Sequence, residues 1–166
     1  MREEIPKWAW YNGMFLFKFA ESLENQDRQD IRGFYDSFRG EYLNGIDFPL
    51  KNQGVSISLL YMLLVVPREM WENQRNQGTQ FQFNSRNIFE FEVGHGYEAW
   101  DFIRCMRNSV AHANFDMNQE GLYAFWNERE NGEINFKVKV THSNLFRFIT
   151  EIGQYYINEV GSSFNS

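Results

Sequence analysis

Residues 55–66 are apolar on nearly every side of a helical wheel. A helix with no polar face must be covered all round, so the rest of the chain has to wrap it. The longest apolar run, residues 57–66, is too short to span a bilayer and contains Ser58 and Tyr61, so a soluble protein with no membrane partner is expected. Pro67 restricts the residue before it and bends or ends the helix there. The same proline suits the first position of a short new helix over residues 67–72.

The flanking segments supply the cover. Over residues 8–25, Phe15, Phe19 and Leu23 recur at helical spacing, with Leu16 and Ala20 on neighbouring rows. Residues 15–19 also suit a strand; the Ala-Glu-Ser-Leu-Glu continuation favours helix. Asp27 or Asp30 can cap the next segment, where Ile31, Phe34, Tyr35, Phe38, Tyr42 and Leu43 form one stripe despite Gly33 and Gly40. Residues 44–54, with Asn44-Gly45, Pro49 and Gly54, read as a connection. Residues 73–96 are rich in Asn, Gln and Gly, with Phe81, Phe83, Phe89, Phe91 and Val93 alternating with polar residues. They read as a long loop holding at most one short extended or helical piece. A further helix is expected over residues 97–113, carrying Trp100, Phe102, Ile103, Cys105 and Met106.

After His112 the period changes. Residues 122–127 and 134–140 read as strands, and Asn131-Gly132 as a tight hairpin turn. Ile134, Phe136, Val138 and Val140 share one face, and Asn135, Lys137 and Lys139 the other. Thr141 or Ser143 caps a last helix striped by Leu145, Ile149, Ile152, Tyr156 and Val160 and stopped at Gly161. The expected fold is mainly α: one domain over residues 1–166, a bundle of four to six helices with a small β-hairpin before the last helix.

Charge and cysteine usage narrow the function. The net charge of −6 disfavours non-specific binding to a polyanion unless cations gather locally. Cys105, the single cysteine, excludes an internal disulfide and fits a reducing compartment. With no apolar signal-peptide core near Met1, a cytoplasmic location is expected.

The chemistry-bearing stretch is Arg107-Asn108-Ser109-Val110-Ala111-His112, at the end of the helix over residues 97–113. Arg107 offers a permanently charged fork suited to phosphate oxygens, and His112 a ring that titrates near neutrality. The two suffice for phosphodiester cleavage without metal. A base takes the ribose 2′-hydroxyl proton, the oxygen attacks phosphorus, and a cation steadies the phosphorane. Chance alone gives an Arg and a His at this spacing roughly 0.2 times in such a chain. On an ideal helix the two side chains diverge by roughly 140°, so they meet one substrate only if the helix ends near His112 or a second copy faces the first.

Arg107-Asn108 through His112-Ala113-Asn114 resembles the Arg-x4–6-His signature of HEPN domains, in which Asn, Asp or His commonly follows the Arg. Residues 115–140, with Phe125-Trp126-Asn127 before a hairpin turn, resemble the strand insertion of some bacterial HEPN ribonucleases. The resemblance extends over residues 97–160; upstream the chain is only compatible with it. It implies a helical bundle, usually dimeric. It further implies a metal-independent endoribonuclease of the kind found in toxin–antitoxin and phage-defence systems, with RNA as substrate and an antitoxin or regulatory protein as partner. On this resemblance Arg107 and His112 are catalytic and Asn108 orients or supports them, with no cofactor. Arg104 can add a cation for substrate. The family also contains members that keep the fold without catalysis, so a protein- or nucleotide-binding regulatory module is the rival expectation.

Other candidates weigh less. Asp101 and Glu98 suit ordinary surface better than an imidazole partner. Glu90, Glu92 and His95 alternate, yet no second His and no Cys pair stands near enough for a metal site. Cys105 sits among apolar neighbours as an inert thiol. Gly94-His95-Gly96 lacks the Lys and Ser/Thr of a phosphate loop. His142 fits a helix start. Trp71, Trp100 and Trp126 suit a core more often than a base-stacking platform, and Lys137 and Lys139 a solvated strand face.

Overall fold

A computed structural model describes residues 53–79, 81, 83–118 and 121–160, together with isolated positions between 13 and 40. The expected helices over residues 8–25 and 27–43, the connection before residue 53 and the stop at Gly161 lie largely or wholly outside these. Their described positions, Gly13, Leu16, Phe19, Ala20, Arg32, Gly33, Asp36, Ser37 and Gly40, are all helical.

The apolar run forms α1 (Gln53–Leu60), which relaxes into a π-turn over Tyr61–Val65. Leu60, Leu63 and Leu64 are wholly buried, but the expected all-round cover is not complete: Ser58 is exposed, Tyr61 is 45% and Val66 36% exposed. Pro67 stands just before α2 (Arg68–Asn76) rather than inside it, and accepts from the N–H groups of Met70 and Trp71. This helix extends beyond the expected residue 72 into the segment read as loop. Helix α3 (Ala99–Ala111) buries Phe102, Ile103, Cys105, Met106, Ser109 and Val110. Helix α4 (His142–Tyr155) starts where Thr141 Oγ1 accepts from the Asn144 N–H at 3.3 Å. No single described helix is long and apolar enough to cross a membrane.

The mainly-α bundle with one hairpin is overturned. A four-stranded antiparallel sheet, in the order β1-β4-β3-β2, forms one layer of a mixed α/β fold. Strand β3 (Leu122–Glu128) and strand β4 (Ile134–Thr141) are the expected pair. The edges were not assigned as strands of a sheet: β1 (Glu90–Val93) is a short extended piece in the segment read as a loop, and β2 (Phe115–Met117) opens the stretch that resembles a strand insertion. β1 does show the alternation noted at Phe91 and Val93, but over four residues only, and β2 has three; each is held by a longer partner. β1 pairs with β4 (Phe91 opposite Val138) and β2 with β3 (Phe115 opposite Phe125). Such pairing depends on residues distant in sequence, which local patterning does not reveal. The connection at Asn131-Gly132 is also wider than a two-residue turn. Residues 129–133 form the loop, closed by the Arg129 N–H donating to Glu133 O at 2.9 Å, with Gly132 at φ +80°.

Tyr123 and Phe125 of β3 and Phe136, Val138 and Val140 of β4 point to the helices, while Ile134 remains exposed at the sheet end. Phe102 is the ring at the centre: it meets Phe83, Phe89, Phe91, Phe136 and Phe148, with centroids 4.8–5.8 Å away. Interlocking rings of this kind contribute beyond their buried area. They fix α3 on the sheet, and α3 carries the candidate site. At the start of α3, the Tyr97 hydroxyl donates to Asn135 O at 3.1 Å, tying the helix to β4.

Candidate active site

Helix α3 turns one face to the sheet and leaves Arg104 and Arg107 for the side towards α2, with Asn108 beside Arg107. Arg107 is only 12% exposed, and its Nη1 donates to Glu72 Oε1 at 3.0 Å. Its Nε and Nη2 donate to the neighbouring Asn108 Oδ1 at 3.3 and 3.1 Å. The guanidinium is thereby held from two sides, in a fixed orientation. Glu72 also accepts from Arg68 Nε at 2.9 Å. The hydrogen bond from Arg68, then that from Arg107, holds the Glu72 carboxyl below its ordinary range, so it stays ionised. One turn back, Arg104 Nη2 donates to Asp101 Oδ1 at 3.3 Å, and Arg75 Nη2 lies 3.6 Å from the same oxygen. Between α2 and α3, Glu72, Arg75, Arg104 and Arg107 line a cleft of about 290 Å³, with Trp71, Asn76, Trp100 and Ile103.

His112 is elsewhere. It is the capping residue of α3, exposed, and its ring makes no hydrogen bond among the described residues. The helix ends there because the chain reverses. The Asn114 N–H donates to Ser109 O at 2.8 Å and the Ala113 N–H to Val110 O at 3.3 Å, the paired bonds of a Schellman motif. The motif needs a left-handed residue after the cap; Ala113 fills that place at φ +56°. Within one chain, then, Arg107 and Arg104 lie on the side facing α2, Asn108 holds Arg107, and His112 stands at the helix end, outside the cleft. The α3 axis does end at His112, which was one of the two conditions for joint action.

The remaining candidates resolve individually. Glu92 takes up both Lys137 Nζ, at 2.7 Å, and Lys139 Nζ, so neither its carboxylate nor the lysines are open. The His95 ring lies beside Phe91, with centroids 6.0 Å apart. Burial pushes the Cys105 thiol up to about 11, which makes it a poor nucleophile at neutral pH. His142 is the first residue of α4, its Nδ1 3.1 Å from the Tyr123 hydroxyl. Glu98 precedes α3 and takes no side-chain capping bond. Trp71 is core, its Nε1 donating to Leu63 O at 2.7 Å. Trp126 donates to Glu128 Oε1 at 3.0 Å and is half-buried on the outer sheet face.

Glu72 and Arg75 escaped the sequence reading. The expected helix over residues 67–72 already held Arg68 and Glu72 at i,i+4 spacing; only Arg75, which continues that face, was lost by ending it at residue 72.

The arginine–asparagine pair, the capping histidine and the strand pair after them agree with one further finding. The family model described as HEPN pEK499 p136 matches residues 1–163. The chain belongs to the HEPN family. At this level it is a HEPN-type nuclease or a related module. No curated protein and no solved structure matches it.

Proposed function

We propose that this HEPN protein is a metal-independent RNA endonuclease that works as a homodimer. The observation that carries the reading is the contrast at the two ends of one motif. Arg107 is pre-oriented by Asn108, and His112 stands open to solvent on the last turn of the same helix. An oriented cation suits a developing phosphorane charge because no side chain must reorganise as the charge forms. An exposed imidazole can take the 2′-hydroxyl proton and return a proton to the leaving 5′-oxygen. The products are a 2′,3′-cyclic phosphate and a 5′-hydroxyl. Since one chain leaves His112 outside the cleft, a second copy supplies the complementary half. Such an enzyme would need restraint in the cell, and an antitoxin or regulatory partner in a toxin–antitoxin or phage-defence system fits that need.

One observation favours the rival reading, a non-catalytic binding module. Arg107 is neutralised by Glu72, as a structural arginine would be. Expression in a bacterial host separates the two. Growth arrest relieved by His112→Ala, with RNA cleavage in EDTA lost in His112→Ala and Arg107→Ala, supports the nuclease. Harmless expression with no cleavage supports the module.

A further inference from the structure

Helix α2 sets Arg68, Glu72 and Arg75 on one face, and α3 sets Asp101, Arg104 and Arg107 opposite them. Four guanidiniums share two carboxylates here: Glu72 serves Arg68 and Arg107, and Asp101 serves Arg75 and Arg104. Glu69 acts on Arg68 from farther off. The wall of the cleft itself carries Arg75, Arg104 and Arg107 against Glu72 alone. In a chain of net charge −6, this is positive charge gathered at one place.

The rest of the lining is Trp71 and Trp100, with Ile103 and the amide of Asn76. Trp71 and Trp100 meet edge-on, with ring centroids 6.1 Å apart. Their indole N–H groups are both taken by backbone carbonyls, Trp71 by Leu63 O at 2.7 Å and Trp100 by Thr79 O at 3.0 Å. The rings therefore offer the cleft apolar surface and no free donor, and Trp100, half-buried, offers the more. A ligand that satisfies both parts carries several negative oxygens and a flat ring. The volume, about 290 Å³, is near the lower limit of ligand clefts, ~300 Å³, and suits one nucleotide rather than a duplex.

We propose that the α2–α3 cleft is a nucleotide subsite for single-stranded RNA, with phosphate on Arg75 and Arg104, Arg107 at its inner end, and a base against Trp100. Taking RNA as the ligand rests on the nuclease reading; the gathering of charge and rings does not. A base on an aromatic face is sequence-tolerant, so the subsite grips a strand without reading it.

The test uses a labelled single-stranded RNA oligomer methylated at every 2′-oxygen, which 2′-attack cannot cut, with binding followed by fluorescence anisotropy. Arg75 and Arg104 are 50% and 45% exposed, so Arg75→Gln/Arg104→Gln should fold, as circular dichroism will verify. It should bind the oligomer about 30-fold more weakly than wild type, and its salt dependence should be shallower by about 1.4 in log–log slope. Arg129→Gln/Arg147→Gln removes the same charge elsewhere on the surface and should bind within about twofold of wild type. Equal losses in the two double variants, or a wild type that does not bind, would overturn the subsite. So would adenosine 5′-monophosphate binding as tightly as the oligomer, since a free nucleotide would then be the ligand. Wild-type cleavage of ordinary RNA with unimpaired oligomer binding by Arg75→Gln/Arg104→Gln would sink the subsite alone. No cleavage, with binding that depends on Arg75 and Arg104, would uphold the subsite and sink the nuclease reading.

Discussion

Replacing Ala113 with glycine tests how α3 is ended at His112. Ala113 sits at φ +56°, in the left-handed region, where its Cβ crowds the following carbonyl. That costs an L residue about 1–2 kcal/mol. Glycine avoids the clash but loses about 0.5–1 kcal/mol more through the freedom it gives up on folding. The difference leaves Ala113→Gly more stable by about 0.5–1 kcal/mol. Ala113 is exposed, so little packing is lost to offset the gain. For a domain of this length each kcal/mol moves Tm by about 2–4 °C, so the shift is about +1 to +4 °C. Differential scanning calorimetry or urea unfolding reads it directly. Ala113→Val, β-branched in the same conformation, should lower Tm. A glycine variant that melts below wild type, or a valine variant that melts with it, would refute the left-handed Schellman ending.

Further outcomes follow from the same geometry. Glu72→Gln should cost no more than about 1 kcal/mol at neutral pH, because Glu72 is 46% exposed and its pairs are screened. Its carboxyl is held low, so the ion pairs stabilise above the ordinary carboxylate pKa of about 4.3 and fade as pH falls through the lowered folded value. Urea midpoints measured between neutral and acid pH should therefore drop less steeply in Glu72→Gln than in wild type; parallel curves would contradict this. Cys105 is 1% exposed with its thiol raised to about 11, so a thiol reagent at pH 8 should label it only after denaturation. Phe102→Ala should destabilise by about 3–5 kcal/mol, as expected for emptying the centre of a ring cluster.

How legible the molecule was in its sequence depended on whether the deciding forces were local. Residues 55–66 announce a helix with no polar face, and its leucines are buried, although Tyr61 and Val66 stay exposed. The stripes of α3 and α4 and the alternation in β3 and β4 were equally readable. The sheet edges were less so: the alternation at Phe91 and Val93 was visible but not its pairing with β4 far along the chain, and β2 is only three residues long. Without them the chain reads as a bundle, and the sheet that underlies α3 is missed. At the site, Arg107, Asn108 and His112 stood out as a motif. Their partition, the arginine held in the cleft and the imidazole left at the helix end, depends on Glu72 thirty-five positions away and on a left-handed alanine. Neither leaves a local signal.

The most direct measurement is end-group analysis of RNA incubated with the purified protein in EDTA. The account predicts fragments ending in 2′,3′-cyclic phosphate and beginning with a 5′-hydroxyl, formed about 10²–10⁴-fold more slowly by His112→Ala. Uncut RNA, 3′-hydroxyl ends, or undiminished cleavage by His112→Ala would contradict it.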